Sequence, residues 1–154
     1  MNEEVRFSIA LHEAGHAVAA VVLGIGVVGC SLDVEADECY FEHEEFFPAT
    51  ETDERNAAFA VMSLAGFAAQ YLHDPGMDAM AYEDNVEEDL KGVQLCLQAS
   101  SDDAAEHAML RMEWSYAARD LVAYYWDAIE RVGTALYERK SLTGPDIKDL
   151  IGID

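Results

Sequence analysis

An apolar stretch near the N-terminus carries three titratable side chains at a fixed spacing. Residues 7–23 have a helix-forming composition, and within them His12, Glu13 and His16 complete an H-E-x-x-H motif. On an α-helix, residues four apart lie about 40° apart around the axis and one turn apart along it. The two imidazoles therefore face the same way and can bind one metal ion, with Glu13 within reach of a water on that metal. This pattern is typical of a zinc hydrolase.

The motif supplies two metal ligands, whereas a catalytic zinc ion usually takes three from the protein and leaves the fourth position to water. No histidine follows His16 at the longer spacing of the metzincins, so a carboxylate is the favoured third ligand. Asp89 is the best candidate because it borders the apolar face of a predicted helix, between Val86 and Val93. An ionised carboxylate turned towards a core is costly unless it is paired or bound to a metal. An acid that stabilises a helix N-terminus is the alternative.

The other titratable residues favour simpler interpretations. Glu13 has apolar neighbours, which argues against an ordinary exposed helix acid. We expect His43 on the surface of an acidic strand, His73 in a helix-ending turn and His107 on a helix surface. These three histidines are not predicted to be ligands.

The composition limits the classes of partner. A net charge of −22, from 31 acidic and 9 basic residues, repels nucleic acid and anionic membranes. The longest apolar run, residues 17–30, is too short and too rich in glycine to span a bilayer, and the acidic N-terminus is unlike a signal peptide. We therefore expect a cytoplasmic protein without nucleic-acid partners or membrane insertion. The cysteines form no C-x-x-C pattern and are predicted to be reduced core thiols, at Cys30, Cys39 and Cys96.

Hydrophobic periodicity predicts a mainly α-helical single domain over 1–154, with a zinc-site core over 1–100 and C-terminal helices over 101–154. Two strands, 27–35 and 38–47, are expected after the first helix as a small hairpin or sheet that turns near Ala36 and Asp37. The second helix should be a buried central helix, capped by Thr50 or Thr52, and its Gly66 should allow a close helix crossing. The predicted helices cover residues 3–23, 52–72, 85–98, 104–118, 119–139 and 146–151.

Four stretches resemble, in the same order, segments of one protein family. Ala10–Val18 resembles the zinc motif of the FtsH family, the membrane-anchored AAA ATP-dependent zinc metalloproteases. Leu64–Ala69 is similar to that family's buried A-G-R-x-A-E helix, and Glu88–Val93 to the segment whose Asp-Leu supplies the third zinc ligand. Leu136–Gly144 is similar to its closing helix and turn. The resemblance spans nearly the whole chain, although only the first stretch is specific by itself.

The resemblance implies a helical zinc-peptidase domain. Zn²⁺ would be bound by His12, His16 and Asp89, and Glu13 would be the catalytic base. The implied substrate is a peptide or an unfolded protein, which a separate unfoldase or adaptor would deliver. Because the family's peptidase domains form hexameric rings, the resemblance also permits a homo-oligomer.

The chain departs from the family in several places. It contains no Walker A pattern and no transmembrane helix, Phe67 replaces the family's arginine, and Gln70 stands near the place of an acid. These departures indicate a stand-alone peptidase domain that acts as a zinc-dependent endopeptidase. The alternative is a non-catalytic acidic interaction module that retains the zinc site. A weaker alternative is a purely structural helical protein in which the motif is accidental.

Overall fold

The computed structural model describes residues 3–33, 38–76 and 83–152. It is mainly α-helical with a small three-stranded antiparallel sheet, so the predicted fold class is confirmed. The predicted turn at Ala36 and Asp37 lies outside the described residues. The elements are α1 (Glu3–Leu23), β1 (Val27–Asp33), β2 (Glu38–His43), a short 3-10 turn (Pro48–Thr50), α2 (Asp53–His73), α3 (Glu83–Ser100), α4 (Ala104–Tyr124), α5 (Trp126–Arg139), β3 (Ser141–Thr143) and α6 (Gly144–Ile151).

Helix α1 is the central element. Every residue from Ser8 to Ala20 is buried, because the helix is apolar around nearly its whole circumference and packs against α2 on one side and α5 on another. Helix α2 is largely buried too and packs against α1, α3 and α4, so the prediction of a buried central helix is confirmed. Helix α1 ends at Leu23, where Gly24 takes a φ of 77°, a conformation that favours glycine.

Two glycines allow α1 and α2 to pack closely. A Cβ on Gly15 would lie 2.6 Å from the carbonyl oxygen of Ala65, so any side chain there would separate the two helices. A Cβ on Gly66 would lie 2.5 Å from Nε2 of His16. The predicted close approach at Gly66 is therefore present, and the group that approaches is an imidazole of α1.

The sheet has the strand order β2-β1-β3 and lies beside α1. Antiparallel β1 and β2 form the expected hairpin pair, in which Cys30 lies opposite Phe41. Strand β2 ends at His43, whereas the sequence predicts extended structure to Phe47. Strand β3 is not predicted from the sequence; it places Leu142 opposite Cys30 and so joins the C-terminal part of the chain to the sheet.

Helix α3 turns a different face inward from the one predicted by the spacing of its apolar residues, which are Val86, Leu90, Val93 and Leu97. Val93 and Leu97 are buried as expected, but Leu90 is 53% exposed. Cys96 is buried in its place, and burial raises the pKa of its thiol to about 12. The inward face therefore follows Asp89, Val93 and Cys96, and Asp89 lies on this face instead of at its border. The side chain of Val86 lies outside the described part.

The ends of the helices agree with local sequence signals, with one exception. The hydroxyl of Thr52 accepts a hydrogen bond from the Arg55 amide and caps α2. Thr143 and Asp146 form a reciprocal capping box at the start of α6. The predicted break between the fourth and fifth helices is misplaced, because α4 continues to Tyr124 and the break falls at Tyr125. No helix in the described ranges is long and apolar enough to cross a bilayer.

Candidate metal centre

Three side chains from two helices meet at one point. Asp89 of α3 places Oδ2 2.9 Å from Nε2 of His12 and 3.2 Å from Nε2 of His16. The two Nε2 atoms are 3.0 Å apart. The three residues thus form a possible metal-binding triad, as the sequence predicts. Asp89 is the seventh residue of α3, so the alternative of a first-turn acid does not apply.

Hydrogen bonds behind the two imidazoles set their orientation. His12 donates from Nδ1 to Oε1 of Gln70 at 2.7 Å, and His16 donates from Nδ1 to the carbonyl oxygen of Met62 at 2.8 Å. The Gln70 amide in turn donates from Nε2 to the hydroxyl of Ser8 at 3.2 Å. Because a neutral imidazole carries one proton, both Nε2 atoms then present lone pairs towards Asp89. Outer hydrogen bonds of this kind are usual for metal-binding histidines.

The convergence of three electron-pair donors requires positive charge at its centre. Burial opposes protonation of His16, but the Asp89 carboxylate, the Glu13 carboxylate and the hydrogen bond to Met62 together outweigh burial and raise the pKa of this imidazole to about 9. Burial likewise opposes ionisation of Asp89, and the two histidines outweigh it and hold the pKa of the carboxyl well below its usual range. A proton or a metal cation can supply the charge.

The donor set and its dimensions fit zinc. Two imidazole nitrogens and one carboxylate oxygen are a common catalytic zinc set. Tetrahedral bonds of 2.0–2.1 Å would place the ligand atoms about 3.3 Å from one another. The three observed distances, 2.9, 3.0 and 3.2 Å, need to open by only a few tenths of an ångström.

Helix α2 brings its backbone directly against the ligand atoms. A Cβ on Gly66 would lie 2.5 Å from Nε2 of His16 and 2.7 Å from Nε2 of His12. Any other residue at this position would occupy the space that the two imidazoles now fill. Gly66 is therefore part of the site, although it offers no ligand atom.

Glu13 is buried in the same cavity as the triad. Burial raises the pKa of its carboxyl, although the nearby His12 and His16 act in the opposite direction. Within the described ranges no hydrogen bond engages this carboxylate, and only the backbone oxygen of Glu13 accepts one, from Cys30. A buried carboxylate without a donor is costly for stability and typical of a functional group. The exposed alternative for Glu13 is wrong.

The cavity beside the triad has a volume of about 480 Å³ and lies between β2 and α3. Strand β2 contributes an aromatic wall that continues to Phe46 and Phe59, and α3 contributes Lys91 and Leu95. His43 is half-buried and lines this wall.

Two site residues escaped the sequence analysis, and each left a signal. Gln70 is an amide in an otherwise apolar helix, on the same face as Gly66, so a buried partner was to be expected. His43 follows Phe41 by two residues, which places both side chains on one face of β2. The remaining histidines lie where predicted, His73 at the end of α2 and His107 in the first turn of α4, and neither lines the cavity.

No protein-family model and no curated protein sequence matches the chain. The resemblance to the FtsH family therefore depends on the four stretches alone.

Proposed function

We propose that this chain is a zinc-dependent endopeptidase that hydrolyses peptide bonds in unfolded proteins or peptides. The convergence of His12, His16 and Asp89 carries the proposal, because their three electron-pair donors lie 2.9 to 3.2 Å apart in a mostly buried position. The ordered resemblance to the FtsH family supports the same activity. The composition favours a cytoplasmic domain, which would receive substrate from a separate unfoldase or adaptor, and the resemblance permits a homo-oligomer.

The triad would hold one Zn²⁺ through Nε2 of His12, Nε2 of His16 and Oδ2 of Asp89. When bound, the ion supplies a Lewis acid that acidifies a water molecule and stabilises negative charge on the substrate carbonyl oxygen. Gln70 and the carbonyl of Met62 keep both imidazoles in the tautomer that can bind it.

Glu13 would move the proton. Its carboxylate accepts a proton as the water oxygen forms a bond to the carbonyl carbon of the substrate. When the carbon–nitrogen bond breaks, Glu13 returns that proton to the leaving amine, so that one peptide and one water yield a carboxylate and an amine. The buried carboxylate without a hydrogen-bond donor is positioned for this exchange, since it shares the cavity with the triad.

Strand β2 offers a place for the substrate backbone. In the described part of the sheet β2 pairs only with β1, so its outer edge has no partner strand, and its side chains line the cavity. An extended peptide can add to such an edge as a further strand. The candidate edge is shorter than the sequence predicts, because it comprises only Tyr40 to His43. A purely structural hairpin is the alternative.

The decisive experiment replaces Glu13 with glutamine. We expect zinc content to remain near one per chain while cleavage of unfolded casein falls by about 10²- to 10⁴-fold, the usual contribution of a general base. Glu87→Gln, an exposed acid of α3 that does not line the cavity, should change neither. Zinc and cleavage are measured by elemental analysis and by release of labelled peptides.

The result separates the candidate functions. Unchanged cleavage in Glu13→Gln would refute the mechanism. Bound zinc without any cleavage by the parent chain would instead favour a non-catalytic acidic interaction module, for which the net charge of −22 is the supporting observation. Absence of zinc would leave the purely structural alternative.

A further inference from the structure

A second cavity lies where α1 begins and where α2 and α5 end. Its volume is about 640 Å³, within the range of about 300–1,000 Å³ that is usual for ligand pockets. It shares no lining residue with the cavity of the triad. Most of its lining residues are exposed or half-buried, whereas Ser8 is only 6% exposed. A ligand in this second cavity would therefore be separate from a substrate at the metal centre.

A series of hydrogen bonds joins the second cavity to the metal centre. His12 donates from Nδ1 to the Gln70 side chain, and Gln70 donates from Nε2 to the hydroxyl of Ser8 at 3.2 Å. Each donor in the series thus points away from the triad. Within the described ranges no group accepts the proton of the Ser8 hydroxyl, so the series ends at the cavity with an unused donor. Because a buried donor without an acceptor is costly, a ligand with an acceptor atom is expected beside Ser8.

Three carboxylates give the second cavity a negative potential. Glu3 and Glu4 lie in the first turn of α1, and Asp74 stands at the C-terminal end of α2. None of the three forms an ion pair within the part of the chain that the structure describes. The first two offset the positive end of α1, but Asp74 lies at the negative end of a helix, where a cation is favoured. Asp74 accepts the Gly76 amide through Oδ1, which leaves Oδ2 for a ligand.

Aromatic rings also line the second cavity. Phe7 makes edge-to-face contacts with His73 and Tyr137, with ring centroids 5.6 and 5.7 Å apart. An ammonium group already lies near one of these rings, because Nζ of Lys140 is 5.2 Å from the centroid of Tyr137. Aromatic faces attract ammonium groups at such distances. Rings and carboxylates together favour a positively charged, partly apolar ligand over an anion.

We infer that the second cavity binds a primary ammonium group next to a carbonyl, and that its occupancy strengthens metal binding. The ammonium would pair with the carboxylates, the carbonyl oxygen would accept the Ser8 proton, and an apolar substituent would pack on Phe7. An acceptor at Ser8 polarises the series through Gln70, which makes the His12 imidazole a better metal ligand. The effect on the metal rests on the proposed zinc site, whereas the ligand class does not.

A nuclear magnetic resonance titration of the metal-free chain tests the ligand class. Leucinamide carries both groups, N-acetyl-leucinamide lacks the charge, and 3-methylbutylamine lacks the carbonyl. Leucinamide should shift the resonances of Ser8 and Phe7 with a dissociation constant of about 1 mM, and the other two probes should bind about tenfold more weakly. The chemistry occurs at peptide N-termini and in small amino-acid amides. Leu-Gly-Gly-Gly-amide distinguishes these sources, because it matches leucinamide only if the cavity accepts a continuing chain.

Asp74→Asn is the most specific variant, because it keeps an oxygen for the Gly76 amide and removes only the charge. Leucinamide affinity should fall about fivefold. Glu138→Gln removes an exposed charge beside Tyr137 that does not line the cavity, and should leave the affinity within about twofold of the parent. Equal affinity for leucinamide and its acetyl form, or equal losses in the two variants, would overturn the ligand class.

Zinc titrations test the effect on the metal centre. Zinc affinity, measured by chelator competition, should rise about fivefold at saturating leucinamide, and zinc should tighten leucinamide binding by the same factor. In Ser8→Ala this gain should vanish. A gain that persists in Ser8→Ala would mean that leucinamide contacts the zinc directly, and no gain in the parent would mean that the sites are independent; either result overturns the coupling. If Ser8→Ala does not fold, the parent result decides.

The two titrations separate this inference from the proposed function. A parent chain that binds no zinc would refute the proposed zinc peptidase and with it the coupling. The titration of the metal-free chain would still decide whether the second cavity selects an ammonium group next to a carbonyl.

Discussion

Two regions of the molecule reverse the usual distribution of polar and apolar side chains. Between α1 and α2, polar groups are almost wholly buried: His12 is 1% exposed and Gln70 is completely enclosed. On the outer face of α4, large apolar side chains are instead exposed to solvent. Met109, Met112 and Tyr116 are each more than half exposed. Their spacing of three and four residues is the one that periodicity would assign to a core.

The two reversals have different physical consequences. A buried polar group is costly unless each of its atoms meets a partner, whereas an exposed apolar side chain is common on protein surfaces and costs little. One series of these interior polar groups has specific partners, from Ser8 through Gln70 and His12 to Asp89. Substitutions at the interior site should therefore have large and specific effects, and substitutions on α4 should have small ones.

Removal of Asp89 should have the largest effect. Asp89→Ala removes a proposed zinc ligand. Loss of a group that only supports a ligand costs about 10- to 100-fold in metal affinity. Loss of the ligand itself should therefore lower zinc affinity by more than roughly 100-fold. Competition with a chromogenic chelator measures the affinity. Glu87→Ala, on an exposed position of the same helix, should retain the parent affinity. Equal zinc affinity in the two variants would exclude Asp89 as a ligand.

The next largest effect is expected at Gly66. A methyl group there would lie 2.5 Å from Nε2 of His16 and 2.7 Å from Nε2 of His12, so Gly66→Ala must displace both rings and should weaken zinc binding about 100-fold. Alanine also favours the helix by about 1 kcal/mol, so the metal-free fold should persist in circular dichroism.

A second glycine separates this effect from general overpacking. A Cβ on Gly133 would lie 2.8 Å from Cδ2 of Leu11, an apolar contact in the core. Gly133→Ala should lower the melting temperature yet leave zinc affinity within about threefold of the parent. Comparable zinc loss in both variants would mean that Gly66 acts only through core packing.

The sequence was sufficient for the parts of the fold that depend on local signals. The bounds of α1 and the stop at Gly24 follow from apolar run length and a left-handed glycine, whereas α6 begins at Gly144, two residues before the predicted start. The face of α3 that is buried could not be predicted from the sequence. Leu90 and Cys96 have similar hydrophobicity, and only tertiary packing determines which of them is buried. Strand β3 was missed because its three residues pair with a strand more than a hundred residues earlier.

The residues of the site could be predicted where the type and spacing of the side chains indicate their chemistry. Helix geometry predicts that His12 and His16 face the same way. The cost of a carboxylate near a core predicts that Asp89 has a partner. The contacts between the imidazoles and other elements could not be predicted. The sequence does not show which amide, carbonyl or aromatic ring of α2 or β2 lies behind each imidazole. Gln70 contributes through its side chain, which the sequence shows as an amide among apolar residues. Met62 contributes through its backbone carbonyl, which any residue would supply, so the sequence does not indicate it.

Substitutions of Gln70 should change zinc affinity less than those of Asp89 or Gly66. Whether the affinity falls or rises should depend on the residue introduced. Gln70→Leu removes the acceptor of the His12 proton and should weaken zinc binding by about tenfold, the lower end for such supporting groups. Gln70→Glu replaces the amide oxygen with a carboxylate, which makes the imidazole a better donor to the metal and should preserve or strengthen binding. Chelator competition on both variants tests the sign, and tighter binding by Gln70→Leu than by Gln70→Glu would contradict the assigned role.

The smallest effect is expected on the outer face of α4. Met112→Lys places a charge where a 59% exposed side chain now stands, so the free energy of unfolding should change by no more than about 0.5 kcal/mol and zinc affinity should not change. Trp114→Ala, on the buried face of the same helix, should cost about 3–5 kcal/mol. Urea denaturation compares the two variants. A loss above about 2 kcal/mol in Met112→Lys would show that this face packs against another surface, and the contrast between the two reversals would then disappear.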